Sequence, residues 1–182
     1  MELNGLILCG GQSQRYGSNK WQVVVNNEFQ YVRIKNALLP YCRQVFVSCR
    51  GEQAHLFEQE NLLLDGSLSA GPMSGLVSAI NYNAQCAWLI VACDWFNVDT
   101  KYIEQLCTTS TQTCDAVCFT DAHNNKQPLL SIYKPSIFDA IKQAFDKGNK
   151  SPKNILDTAN CLCLPNNLLF FNNKEEFNAH NQ

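Results

Sequence analysis

The sequence predicts an α/β domain of three layers, with helices on both faces of a mostly parallel sheet and one antiparallel hairpin. Three observations predict it. Strand-like and helix-like segments alternate along the chain, the pattern of parallel pairing through helical crossovers. The first apolar run, residues 3–9, leads into Gly10-Gly11, as a buried strand feeding a tight loop does. Residues 88–93 are continuously apolar, as a central strand covered on both faces must be. At 182 residues the chain fits one domain spanning 1–182, with no linker, repeat or low-complexity block.

The elements run in order along the chain. Residues 29–39 place Tyr31, Val32, Ile34, Ala37 and Leu38 at helical spacing, and Pro40 ends the pattern. Residues 44–49 alternate around Val45 and Val47, a second strand. Residues 52–60 are polar apart from Ala54, Leu56 and Phe57, which predicts a surface helix. A third strand is expected at 62–65 and a loop at 66–71. Residues 72–82 carry Met73, Leu76, Val77 and Ile80 behind Pro72, a helix with proline in its first turn. After the strand at 88–93 come a helix at 100–108, a strand at 116–120 and a polar turn at 123–126. The strand at 129–133 then returns beside 116–120 as the hairpin. A helix at 135–145 stops at Lys147-Gly148, and Ser151-Pro152 opens a short helix through Leu156. Short strands at 161–164 and 168–171 and a polar helix at 174–180 close the chain.

Composition narrows the function classes. With 46% hydrophobic residues the chain can build a real core. No apolar run reaches the roughly 18 residues of a membrane span. The N-terminus has neither a basic region nor a cleavage motif, so a cytoplasmic protein is expected, without membrane association. A formal net charge of −2 disfavours a nucleic-acid binder driven by bulk charge. The ten cysteines sit mostly in apolar runs, as Cys9, Cys93 and Cys118 do, and read as reduced thiols acting as small hydrophobes. Cys161-x-Cys163 puts two thiols on one strand face, but no second pair and no histidine lies near them in sequence, which points away from a zinc or iron–sulfur centre.

In an open α/β sheet, ligands bind beyond the carboxyl ends of the strands. The loop from Cys9 to Lys20 joins the first strand to the first helix, and combines Gly10-Gly11, Ser13, Arg15, Gly17 and Lys20. Glycines let backbone N–H groups approach phosphate oxygens, and Arg15 and Lys20 add charge-assisted donors. It is not a P-loop, because Asn19 precedes Lys20, and Gln12 breaks the dinucleotide fingerprint. The bland alternative is a glycine turn beside two solvated cations. Asp94 ends the most apolar strand, where a carboxylate suits Mg²⁺ on a phosphate, or else caps a helix. Asp65 ends the third strand, ahead of Gly71-Pro72-Met73-Ser74-Gly75; it contacts a ribose or base, or caps the turn. Asp115 and Asp121 read as structural, and His55, His123 and His180 as polar surface residues.

Together these residues resemble the molybdenum cofactor guanylyltransferase family, nucleotidyltransferases with a Rossmann-like fold. The run from Leu8 to Lys20 is similar to the family loop L-x-G-G-x-S-x-R-x-G-x-x-K. Asp65 with Gly71-Pro72-Met73-Ser74-Gly75, Cys93-Asp94 and Gln127-Pro128-Leu129 resemble its D-(spacer)-G-P-x-x-G, C-D and Q-P-L motifs. Residues 168–177 resemble its closing segment more weakly. The chain differs at Asn19, where the family has Asp, at Trp21, at Cys49 and at Trp95, whose segment lacks a proline. The resemblance implies GTP held by Leu8, Cys9, Gly10, Gly11, Lys20, Asp65 and Asp94, with Mg²⁺ on Asp94. It implies Arg15, Lys20 and Asp94 as the catalytic groups, and GMP transfer to molybdopterin with release of pyrophosphate. Molybdopterin would lie near Gln127-Pro128 and the loop around Ser151. Molybdoenzymes or cofactor-insertion proteins are the possible partners. Rivals are cytidylyl transfer to molybdopterin, nucleotidyl transfer to another small phosphate, or a paralogue that binds nucleotide or pterin without turnover. Gly10-Gly11, where cytidylyl relatives carry Ala-Gly, favours guanine.

Overall fold

A computed structural model describes residues 2–10, 20–25, 27–66, 71–96, 98–109 and 113–165, and for Lys20 the backbone alone. One seven-stranded sheet organises the chain, in the order β5-β4-β1-β6-β8-β7-β9. These strands are β1 (Leu3–Leu8), β4 (Val45–Cys49), β5 (Asn61–Leu64), β6 (Ala87–Ala92), β7 (Ala116–Thr120), β8 (Lys126–Tyr133) and β9 (Cys161–Pro165). All pairings are parallel except the two made by β8, which runs against β6 and β7. The expected hairpin is therefore β7–β8. A separate two-stranded ribbon, β2 (Val24–Val25) with β3 (Glu28–Phe29), was not expected from the sequence.

Side chains alternate across the strands and divide the core into two halves. Ile7, Val47, Leu89, Val91, Val117 and Phe119 face α1 (Gln30–Leu38) and α3 (Thr100–Thr109), which contribute Ile34, Leu38, Ile103 and Leu106. Leu6, Phe46, Trp88, Ile90, Ala116 and Cys118 face the other way. There they meet α2 (Pro72–Tyr82), α4 (Phe138–Asp146) and α5 (Pro152–Thr158) through Met73, Leu76, Ile80, Ile141 and Leu156. All six residues of β6 are buried, because each face of that strand lies under helices.

Three expectations change in detail. The predicted surface helix is a 3-10 helix over Gly51–Phe57, with Gln53 and Phe57 buried. Arg50 and Gln53 tighten its first turn: the Arg50 N–H donates to Gln53 Oε1 at 3.1 Å and the Gln53 N–H to the Arg50 carbonyl at 2.8 Å. The helix expected from 135 begins as a 3-10 turn, Pro135–Ile137, before α4. The return strand β8 starts at Lys126 rather than 129, with a register shift between Cys118 and Phe119 on its partner. That irregularity accommodates Pro128, which has no N–H for the ladder. The strand and helix expected over 168–171 and 174–180 lie outside the described residues. All ten cysteines are free thiols. No described helix is long and apolar enough to cross a membrane.

Candidate nucleotide site

The chain leaves β1 for β4 and then β5 on one side, and returns to β6 on β1's other side. The order of strands thus reverses between β1 and β6, and the crevice at such a reversal is where open α/β sheets bind ligands. Cys9 and Gly10 follow β1, Asp94 follows β6, and Asp65 follows β5, so these predicted residues share one edge of the sheet. Because β8 runs antiparallel, its first residues, Lys126, Gln127 and Pro128, come to that same edge.

Asp65 lies beside Gly10 across the end of β4. The Asp65 N–H donates to the Cys49 carbonyl at 2.8 Å, and the Ser48 hydroxyl donates to Asp65 Oδ1. A β-carbon on Gly10 would overlap the second carboxylate oxygen and lie 3.2 Å from its carbon. Gly10 therefore serves two ends: an open backbone, and the space in which Asp65 sits. Burial pushes the Asp65 carboxyl above its ordinary value, against the hydrogen bond from Ser48 and the charge of Arg50, which both pull it down. Helix α2 closes in from the next strand. A β-carbon on Gly75 would overlap the Ser48 hydroxyl and lie 2.7 Å from Leu8 Cδ2. The Gly66 N–H donates to Ser74 Oγ at 2.9 Å, and Ser78 Oγ donates to the Leu64 carbonyl at 2.9 Å, which ties α2 to the segment carrying Asp65. The first turn of α2 has no acidic residue, so its N-terminal dipole remains favourable to an anion. Gly71, ahead of that turn, backs onto the Lys150 carbonyl; a β-carbon there would lie 3.9 Å from it. The loop before Ser151 and the Gly71-Pro72 turn are therefore neighbours.

Asp94 is half-buried, with its Oδ1 out of solvent. It does not cap the following helix, since α3 starts at Thr100 and Asp99 Oδ1 accepts from the Lys101 N–H at 3.0 Å. A side chain from α1 fixes the segment after Asp94: Gln30 Nε2 donates to the Trp95 carbonyl at 3.0 Å. Arg33 donates to the Phe96 carbonyl at 3.0 Å. Behind the crevice, the Cys9 and Cys93 sulfurs lie 3.2 Å apart, and burial pushes the Cys9 thiol well above its ordinary value. Cys9 therefore packs as a neutral residue, the role its apolar run suggested. Cys49 is fully buried, its thiol pushed up to about 11 by burial and then by Asp65.

Of the remaining predicted residues, Gly11 and Arg15 lie outside the described residues, as does the side chain of Lys20. Asp115 and Asp121 are structural, as expected. Asp115 accepts from Ser136 Oγ at 2.7 Å and from the Asn160 N–H at 3.1 Å. Asp121 accepts from the N–H groups of His123 and Asn125, both at 2.8 Å. Sequence reasoning missed Ser48, Gln30 and Arg33. Gln30 alone left a trace, as a polar residue opening an otherwise amphipathic helix.

A mostly parallel sheet with Gly10, two strand-terminal carboxylates and a helix N-terminus at its carboxyl edge has the arrangement of an α/β domain that binds ligands at its switch point. Residues 5–161 match the MobA-like NTP transferase domain, and the chain belongs to that family. It is 34% identical over 170 residues to a molybdenum cofactor biosynthesis bifunctional protein of Synechocystis sp., covering 91% of this chain and 49% of that one. The chain thus spans about half the length of that relative. A probable molybdenum cofactor guanylyltransferase of Flavobacterium johnsoniae is 25% identical over 179 residues, 98% of this chain and 90% of its own. Among solved structures, molybdopterin-guanine dinucleotide biosynthesis protein A of Archaeoglobus fulgidus superposes with a TM-score of 0.74. That match has 22% identity and covers 89% of this chain and 83% of the other, and it bears on the fold alone.

Proposed function

We propose that the chain transfers GMP from GTP to molybdopterin, forming the guanine dinucleotide cofactor and releasing pyrophosphate. The observation that carries this reading is the contact of Asp65 with Gly10 at the carboxyl edge of the sheet, where Asp94 ends the strand beside β1. Membership of the MobA-like family and relatives named molybdenum cofactor guanylyltransferase support the choice of substrates.

In this reading the backbone of Leu8, Cys9, Gly10 and Gly11 lines the nucleotide. Asp65, held by Ser48 over Gly10, accepts hydrogen bonds from the nucleoside. Asp94 suits Mg²⁺: it offers hard oxygens at the end of a buried strand, with one oxygen already out of solvent. Bound there, Mg²⁺ would neutralise phosphate charge. A terminal phosphate oxygen of molybdopterin forms a new bond to the α-phosphorus as the α–β phosphoanhydride bond breaks, and the electron pair leaves with pyrophosphate. Such chemistry depends on positioning and charge more than on covalent participation. Lys20, Arg15 and the N-terminus of α2 meet the leaving group's charge. Molybdopterin approaches along the same edge, between Gln127-Pro128 and the loop before Ser151.

The test is to incubate the protein with Mg²⁺, molybdopterin and each nucleoside triphosphate in turn while following pyrophosphate release. Release with GTP alone is expected. Release with CTP alone, or binding without release, would overturn the assignment.

A further inference from the structure

Cys161-x-Cys163 has a partner that the sequence did not disclose. The parallel β7–β9 register sets Cys118 opposite Cys163 and Ala116 opposite Cys161. All three thiols therefore rise from the same face of two adjacent strands, two of them on one strand and one on the next. The Cys118 sulfur lies 3.3 Å from that of Cys161 and 3.9 Å from that of Cys163, and all three sulfurs fall within 4.8 Å of one another. Among the described residues, no other histidine, cysteine or carboxylate group gathers in this way. The set grades from Cys118, buried, through Cys161, half-buried, to Cys163, exposed on β9, so it opens outward from the core. Core packing accounts for Cys118, which sits among Tyr133 and Leu156, but not for an exposed cysteine beside it.

We infer that Cys118, Cys161 and Cys163 form a three-thiolate site for one thiophilic d¹⁰ cation, Zn²⁺ or Cu⁺. Soft sulfur donors select these ions over hard ones such as Mg²⁺. Sulfurs bound to one ion at about 2.3 Å stand about 3.8–4.0 Å apart in tetrahedral or trigonal geometry. The separations found need only small side-chain rotations to reach that. Binding exchanges the three thiol protons for the cation: three S–H bonds break, three metal–sulfur bonds form, and the protons go to solvent. Zn²⁺ would retain an outward fourth position for water, whereas Cu⁺ would be complete with three ligands. Cys118 and Cys163 lie in mid-strand and Cys161 opens β9, on strands separated from β6 and Asp94 by β8, and the site does not rest on the nucleotide reading.

The experiment uses the reduced, metal-free full chain. One arm titrates Zn²⁺ against a chromophoric chelator, and an anaerobic arm titrates Cu⁺ against a copper(I)-specific chelator. Retention of one equivalent of either ion is expected, and the arm that retains it identifies the ion. Cys161→Ser and Cys163→Ser should each weaken binding by more than about 100-fold, beyond the 10–100-fold that losing an outer-shell partner costs. Cys107→Ser, on α3 under the opposite face, should bind as the unaltered chain does. Cys163 is exposed, so its variant should keep the fold, which circular dichroism checks. Failure to retain either ion, or equal retention by the Cys161 and Cys163 variants, overturns the inference.

Discussion

Gly10→Ala tests the seat of Asp65 directly. The new methyl group would be placed onto a carboxylate oxygen of Asp65. Gly10 cannot retreat far. The Cys9 N–H before it donates to the Ser48 carbonyl at 2.8 Å, and β1 is paired on both sides. The carboxylate must therefore move and give up its hydrogen bond from Ser48. A hydrogen bond to a charged group contributes about 1.5–3 kcal/mol, and that is the destabilisation expected. For a domain of this size it lowers Tm by roughly 3–12 °C. The decisive assay is a double-mutant cycle by chemical denaturation. In an Asp65→Ala background the methyl group no longer meets the carboxylate, so Gly10→Ala should cost less by about the same 1.5–3 kcal/mol. Additive effects of the two substitutions would refute the argument that Asp65 occupies the space over Gly10.

Three further outcomes are expected. Asp65 holds its proton more tightly in the folded chain than unfolded, so the native protein loses stability as pH rises from the ordinary value of 3.8 through the raised one. Asp65→Asn should remove that loss, and its stability relative to the unaltered chain should climb across this window and then level off; a difference independent of pH would contradict the burial argument. Asp94→Ala should lower GMP transfer by on the order of 10²–10³ with the circular dichroism spectrum unchanged, and normal turnover would remove Asp94 from the site. Asp99→Ala should cost α3 about 0.5–2 kcal/mol through its lost cap and leave transfer intact, whereas an activity loss matching that of Asp94→Ala would mean the two aspartates had been assigned the wrong way round.

The fold was legible where one local pattern dominated. Residues 72–82 match α2 to the residue because Pro72 opens the helix and the apolar stripe runs unbroken to Ile80. β6 was legible because burial on both faces leaves no polar residue in it. The hidden features depend on pairing between distant segments. Ser48 is one polar residue in a buried strand, and it acquires a role only when β5 lies beside β4 and brings Asp65 to it. Cys118 joins Cys161 and Cys163 across more than forty residues because β9 pairs with β7 in one register; a shift of one residue would turn the thiols to opposite faces. The 3-10 character of Gly51–Phe57 was hidden for a related reason, since its spacing is set by the Arg50–Gln53 exchange rather than by an apolar stripe.

The positions where the chain differs from its family's motifs can be sorted by which side of the crevice they occupy. Trp21 is buried, its ring 4.7 Å from that of Phe57 and 5.9 Å from that of Tyr31, so it fills the core under α1. Trp95 is buried too, and its carbonyl is held by Gln30. A proline in the segment after Asp94 restricts the backbone through its fixed φ. Here Gln30 and Arg33 restrict the same segment by hydrogen bonding it to α1. Cys49 lies inside the sheet, and its carbonyl still anchors the Asp65 N–H. These three departures are thus absorbed on the packed side, where they change how the edge is supported; the fourth, Asn19, lies outside the described residues. Gly10, Asp65 and Asp94, at the carboxyl edge of the sheet, keep the residue types of the family's motifs. Among the described residues, therefore, the departures alter packing while the residues of the proposed site are retained, and the pyrophosphate-release assay decides between a working transferase and a binding paralogue.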